Sequence, residues 1–394
     1  MPSIIQQMST EEIRAVGTVD RVNVDGRQRR YSEQDVRCGA RNMLIDGCEM
    51  KAGDEVLILN ENGITEPAAS DIIADEARKL GGRVHVMWTD TVKGPEDMPP
   101  ALVRAFESPD VTVFNHMVAA VLRLVPFNGR GMKMLNFLQT WDQLGSPYAQ
   151  VPYKVWLEVL KNLGPRLSMA KSWRVTCPLG SDLSGPIPQP GQSPKQAKSD
   201  AKATGDGFTL RTFPLGVCQV FDGMQASGRL AVRWLTPSGI HVFEPNGTAL
   251  PSPVLIEIDH GRITGFDGDA TAVSQLRAYL EKCGGEMGKE PYIVNSWHAG
   301  INPRCSVTAG PEQGLDQWMY MVHANPRIVH FHTIGTVQPG EMSIPVVDPT
   351  ITFDGETLWD RGRFVFLDQP ALREKVRAFG DPDFAFEHEL EIGV

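Results

Sequence analysis

The segment Arg327-Ile-Val-His-Phe-His-Thr-Ile-Gly335 carries two histidines two residues apart in a run that alternates as a strand should. Residues i and i+2 of a strand project from one face, so His330 and His332 are expected side by side. Two imidazoles on one strand face offer a divalent metal two nitrogen ligands at little ordering cost, and a donor from elsewhere completes the site. His298, in Ile293-Val-Asn-Ser-Trp-His-Ala-Gly-Ile-Asn-Pro303, stands where a short apolar strand runs into a Gly and Asn-Pro turn, a place that faces a cleft. Histidines also pack as ordinary hydrogen-bonded sheet residues, the reading preferred for His323 in Trp318-Met-Tyr-Met-Val-His323. Three carboxylates are candidates to complete a two-histidine, one-carboxylate site: Glu341 after the turn Gln338-Pro-Gly340, Asp348 before Pro349, and Asp182 in Pro178-Leu-Gly-Ser-Asp182. That arrangement leaves open positions on a ferrous ion for substrate and dioxygen. Asp354-Gly355 reads as a hairpin turn and is left out of the site. No GxSxG, HExxH or recognisable Cys and His context supports nucleophilic catalysis.

These residues need a scaffold, and the pattern along the chain supplies two. A helical period over Asp35–Leu44, the apolar run Glu55–Asn60, a helix from about Glu66 to Leu80 ending at Gly81-Gly82, and the run Arg83–Trp88 make a right-handed βαβ unit. Pro99–Glu107 and Val111–Phe114 add a helix and a third strand. The fold class is therefore α/β, with an N-terminal extension over 1–34 and a small parallel α/β sheet domain over 35–165. No GxGxxG or Walker A loop follows the first strand, so no dinucleotide or nucleoside triphosphate is expected. From 166 to 394 short β-rich runs separated by Gly, Pro and Asp, with one helix at about Ala270–Lys282, predict a mixed, β-rich α+β catalytic domain. Residues 185–207, dense in Pro, Ser, Lys, Ala and Gly, read as a mobile surface loop.

Composition narrows the function classes. The 394 residues carry 38 Lys plus Arg against 48 Asp plus Glu, a formal charge of −10 that repels phosphate backbones and anionic lipid in the absence of a basic patch. No nucleic-acid partner and no membrane partner is expected. The opening residues lack the apolar core of a signal peptide and no run of 18 apolar residues occurs, so a cytoplasmic location is expected. Six cysteines without a CxxC pair read as reduced thiols and rule out a zinc knuckle.

Taken in order, several segments resemble the aminopeptidase T family of metallopeptidases and the related 2,5-dihydroxypyridine 5,6-dioxygenase-like proteins. Lys51-Ala-Gly-Asp-Glu-Val-Leu-Ile58 is similar to the family's opening strand. Trp173-Arg-Val-Thr-Cys-Pro-Leu-Gly-Ser-Asp-Leu183 is similar to its domain-crossing segment, and Phe213-Pro-Leu-Gly216 to the stretch that follows. Pro253–Ile263 resembles its strand and "GRV" turn, and Trp297-His-Ala-Gly-Ile-Asn-Pro303 its "G-NP" motif. The resemblance covers residues of about 35 to 367. It implies a metal-binding histidine at His298 and a homodimer. The peptidase pattern places glutamates near this point and in the segment after "FP", where this chain has Val217-Cys218-Gln219. Both relatives place a His-x-Asp pair where, by register from Phe353-Asp-Gly-Glu356, this chain has Glu341-Met-Ser343. His330 and His332 are expected to replace the lost ligands.

The reading that follows is a mononuclear metal enzyme with His298, His330 and His332 as ligands and Glu341 and Asp182 as catalytic carboxylates. Fe(2+) is the expected metal, with Zn, Co or Mn as alternatives. The reaction is ring-opening dioxygenation of a small hydroxylated or nitrogen-containing aromatic, with a metal-dependent hydrolase of amide, peptide or ring as the rival and a non-enzymatic binding protein on the same fold as the third reading. The small-molecule substrate is expected between the domains, with Trp297, Trp318 or Phe331 as candidate aromatic walls, although a regular strand turns Phe331 away from the histidines.

Overall fold

The computed structural model describes residues 29–122, 127–188, 207–238 and 241–394. Two sheets organise them. The first has strands β1 (Glu55–Glu61), β2 (Arg83–Thr89), β3 (Val111–Asn115) and β4 (Gly131–Asn136), all parallel, in the order β2-β1-β3-β4. Helices Pro67–Lys79 and Pro100–Glu107 make the crossovers. Both begin with Pro in the first turn, where its missing N–H costs nothing. Both faces of the sheet are covered, so β1 is almost continuously apolar: Val56 and Ile58 enter one core, Leu57 and Leu59 the other.

The second sheet is antiparallel and larger. Its strands are β5 (Ser172–Thr176), β6 (Asp182–Pro186), β8 (Phe221–Asp222), β9 (Ser227–Pro237), β10 (Thr248–Asp259), β11 (Arg262–Asp267), β12 (Val294–Ala299), β13 (Ile328–Thr333), β14 (Met342–Val347), β15 (Thr350–Phe353), β16 (Glu356–Asp360) and β17 (Arg363–Phe364). Their main order is β17-β16-β15-β5-β6-β9-β14-β13-β12-β8, with β10 and β11 branching from β9. A parallel α/β unit and a curled antiparallel sheet with a covering helix, Ala270–Met287, are thus the two halves of the α/β architecture read from the sequence.

One strand crosses the division expected near residue 165. Phe208–Phe213, β7, runs parallel to β4 and completes the first sheet as its fifth strand. Phe208 and Leu210 supply the apolar face that β4 otherwise leaves open, with the Phe127 and Phe208 rings 5.4 Å apart. Of the expected loop over 185–207, Gly185 and Pro186 close β6 and Ile187 is buried, whereas 189–206 lie outside the described residues. Of the N-terminal extension, 1–28 lie outside them too, and Arg29 stacks over the Trp141 ring at 3.7 Å.

Lys133 of β4 is fully buried, its ammonium held only by the Pro109 carbonyl at 3.2 Å and the Thr112 hydroxyl at 3.0 Å. Burial, then the nearby Arg130 charge, lowers its pKa to about 7. The unfolded lysine titrates near 10.4. Between those values the unfolded chain binds a proton that the folded chain does not, so stability rises with pH across about 7 to 10, and below pH 7 the burial penalty is complete. Lys133→Met is expected to stabilise the protein by about 2 kcal/mol at pH 6 and by less at pH 10. Thermal melts at both values check the sign, and a variant less stable at pH 6 would show that the two hydrogen bonds outweigh the charge.

Candidate metal centre

The site is built on β12 and β13, near the β8 end of the large sheet. In the antiparallel pair β12 and β13, His298 lies opposite His330 and Ser296 opposite His332. Directly opposed residues share a face, as do residues two apart along a strand, so these four side chains come together. The imidazole centroids of His298 and His330 are 4.0 Å apart, those of His298 and His332 5.1 Å, and those of His330 and His332 5.2 Å. One ligand-capable nitrogen from each lies within 4.8 Å of the others, and among the described residues this is the cluster able to hold a metal ion.

The opposite face of the same strands is an aromatic core. Trp297 packs edge-on against Trp173 at 5.0 Å and stacks on Phe221 at 4.6 Å, and Phe331 lies 5.9 Å from Trp297. Phe331 therefore turns away from the histidines, as strand alternation requires. Trp297 and Phe331 are fully buried there, and Trp318 packs against Trp234 in a separate cluster, so the three aromatics expected as walls of a cleft are core residues instead.

Electrostatics keep His330 and His332 neutral. Burial pushes the His332 pKa down to about 4. Burial, and secondarily the neighbouring imidazoles of His298, His332 and His323, hold His330 well below the ordinary range. A neutral imidazole is the form that ligates a metal. Nδ1 of His330 is buried without a hydrogen-bond partner, a nitrogen left over by the protein's own bonding. Three imidazole donors, that of His330 orphaned among the described residues, fit a divalent cation of the transition series or zinc.

The expected carboxylates are not in the cluster. Asp182 forms a paired salt bridge with Arg174, at 2.8 Å for each contact, on an exposed part of β6. It is opposite Arg229 on β9, seven residues from Thr236, which sits opposite Ser343 on β14; at the strand rise that is roughly 23 Å of chain. Asp348 is clamped by the Arg327 guanidinium at 2.6 and 2.8 Å. Glu341 is buried just before β14, but its oxygens are taken by His241 Nδ1 at 2.6 Å and by the Lys289 ammonium. Glu341 is thus the centre of a charged bracket rather than a member of the histidine cluster.

The side facing the first sheet carries residues that sequence reading passed over. Phe137, just beyond β4, lies 4.6 Å from the His323 ring and 4.8 Å from Tyr320, and the His323 ring is 6.1 Å from His330. The Gln139 amide donates to the Tyr320 hydroxyl at 3.4 Å. The C-terminal ends of the parallel strands, the usual ligand edge of such a sheet, therefore adjoin the histidines through Phe137, Tyr320 and His323. No local signal announced Phe137 or Gln139, because their role depends on which sheet edge meets β13. His323 Nδ1 lies 2.7 Å from the Tyr320 carbonyl, which can only accept, so Nδ1 is the donor there.

The fold resembles that of a solved structure. The structure superposes on a 2,5-dihydroxypyridine dioxygenase from Pseudomonas putida KT2440 with a TM-score of 0.57 at 19% identity, covering 83% of this chain and 96% of that one. Wild-type AmpT from Thermus thermophilus aligns with a TM-score of 0.48 at 12% identity, over 84% of this chain and 99% of its own. No protein-family profile and no curated protein matches the sequence. The resemblance to the dioxygenase drawn from sequence segments thus reappears in the fold. Among the described residues no helix is long and apolar enough to cross a membrane.

Glu341→Gln keeps the shape and removes the charge that His241 and Lys289 face. It is expected to lower stability by about 1–3 kcal/mol while leaving bound metal at the wild-type level. Melting curves with metal analysis on the same samples check both halves, and loss of metal from a folded Glu341→Gln protein would make Glu341 a ligand.

Proposed function

We propose that the chain is a mononuclear, metal-dependent enzyme, with His298, His330 and His332 holding Fe(2+), that opens the ring of a small hydroxylated or nitrogen-containing aromatic. The observation that carries this reading is the convergence of three imidazoles from adjacent strands, with ligand-capable atoms within 4.8 Å of one another. The shared fold with a 2,5-dihydroxypyridine dioxygenase supports the choice of reaction class. When bound, ferrous iron supplies open positions at which substrate and dioxygen are brought together.

The chain's own residues do the remaining work. Phe137 and Tyr320, tilted at 56° to each other, offer an aromatic corner in which a substrate ring would lie beside the histidines. His323, oriented by its Nδ1–H bond to the Tyr320 carbonyl, sets its ring beside this corner, 6.1 Å from the His330 ring. Aromatic burial behind β12 and β13 keeps the backbone that carries the ligands rigid, as a preorganised site needs.

A second reading is supported by the donor set itself. Three imidazoles are also the set with which zinc lowers the pKa of bound water to about 7, the basis of metal-dependent hydrolysis. Dioxygen dependence separates the two.

Metal analysis by inductively coupled plasma mass spectrometry on protein purified without oxygen is expected to find one iron per chain in the wild type. Little or none is expected in folded His298→Ala or His330→Ala. Oxygen uptake with hydroxypyridine and dihydroxybenzoate substrates should require both iron and dioxygen. Activity that persists anaerobically and returns with zinc would replace oxygenase by hydrolase, and a wild type that takes up no metal after reconstitution would discard both metal readings and leave a metal-free enzyme or a binding protein.

A further inference from the structure

Strand β12 carries an irregularity beside the histidines. Val294 is opposite Thr333 and Ser296 is opposite His332, so two residues of β12 are spanned by one step of β13 and Asn295 is the extra residue of a β-bulge. In a regular strand the side chains of 295 and 296 would leave opposite faces. Here the Ser296 hydroxyl donates to Asn295 Oδ1 at 2.7 Å, a contact between adjacent side chains that the bulge makes available.

The hydrogen bonds around this pair have one consistent assignment. Asn295 Nδ2 donates to the carbonyls of Gly335 at 2.9 Å and Val337 at 3.2 Å. Carbonyls cannot donate, so the amide is fixed with Oδ1 turned to Ser296. The Ser296 hydroxyl has one hydrogen, and that hydrogen is committed to Oδ1. Its oxygen lies 3.0 Å from His332 Nδ1 and can only accept there. The proton of His332 is therefore on Nδ1, and Nε2 carries the lone pair. Asn295, Ser296 and His332 are all buried, so water does not offer an alternative set of partners.

The loop that reads Asn295 is packed tightly enough to hold it. A Cβ at Gly340 would lie 2.3 Å from the Thr333 carbonyl oxygen and 2.9 Å from Asn295 Nδ2, so only glycine lets the chain pass. The Gln338 amide donates to the Asn295 carbonyl at 3.0 Å, fastening the loop to the bulge from its other side.

We infer that Asn295 and Ser296 are positioning residues that hold His332 as its Nδ1–H tautomer, so that the bulge in β12 presents His332 Nε2, and not Nδ1, to the bound metal. The inference rests on the metal-centre reading above. It adds a tautomer and two residues that the histidine cluster alone does not assign. Outer partners of this kind orient the ligand ring and raise its basicity, and their loss costs metal affinity.

The test has two arms. Long-range proton–nitrogen correlation spectra of metal-free protein with labelled histidine, at about pH 8 where imidazole is neutral, are expected to show His332 as the Nδ1–H form. Ser296→Ala is expected to mix the tautomers and to weaken Zn(2+) binding, measured by competition with a chromophoric chelator, by about 10–100-fold. Ser296→Thr, which keeps the hydroxyl, should restore both readouts, and melting curves confirm that each variant is folded. An Nε2–H tautomer in the wild type overturns the inference, as does Zn(2+) affinity unchanged in a folded Ser296→Ala protein. A wild type with the Nδ1–H form that binds neither Zn(2+) nor Fe(2+) would overturn the metal centre, and with it the positioning role, while separating that failure from a wrong tautomer.

Discussion

His298 stands opposite His330, and that register between β12 and β13 sorts every side chain of the region. With it, three imidazoles and Ser296 share one face while Trp297 and Phe331 enter the aromatic core on the other. A slip of one residue would send the tryptophan outward and the histidines into the core. The packing of Trp173, Phe221 and Trp297 and the convergence of the histidines are thus two consequences of the same pairing. Apolar burial on the rear face supplies the free energy that fixes the polar front, because each aromatic buries far more apolar surface than a histidine can regain by hydrogen bonding.

Polar groups buried in this region are organised in layers. His330 and His332 are innermost, and burial holds both neutral. Behind His332 come Ser296 and Asn295, bonded onward to backbone carbonyls. To one side the Glu341 carboxylate is balanced by His241 and Lys289, so a negative charge near the site is neutralised by the protein itself. A divalent ion at the histidines would then keep most of its charge and favour anionic ligands, such as a deprotonated ring hydroxyl.

Sequence alone made the parallel unit legible because its signals are local: apolar runs of strand length, a helix ending at Gly81-Gly82 and prolines at helix starts. The His-x-His face of β13 was legible for the same reason, since strand periodicity needs no tertiary information. The carboxylates were not. Asp182 and Asp348 resemble ligands in a linear reading, yet each has a nearby arginine as partner, Arg174 or Arg327, and those pairings form only when β6 meets β5 and when β14 turns back toward β13. The bulge at Asn295 is invisible for a related reason: an extra residue is defined only against the strand it pairs with. Trp297 and Trp318 look like cleft residues by their closeness to histidine, and the neighbours that bury them are distant in the chain.

The return of β7 to the first sheet has a consequence for how such a protein can change over time. Two strands of the second sheet, β5 and β6, are already laid down before the chain goes back to finish the first, so neither half is a contiguous stretch. Recombination at a single point near residue 165 would strip β4 of its neighbour and leave an open edge lined by Phe127 and Leu135, a template for adhesion between molecules. A single crossover there therefore leaves neither sheet complete, whereas changes to side chains on the histidine face or to loops leave the strand pairing of both sheets intact.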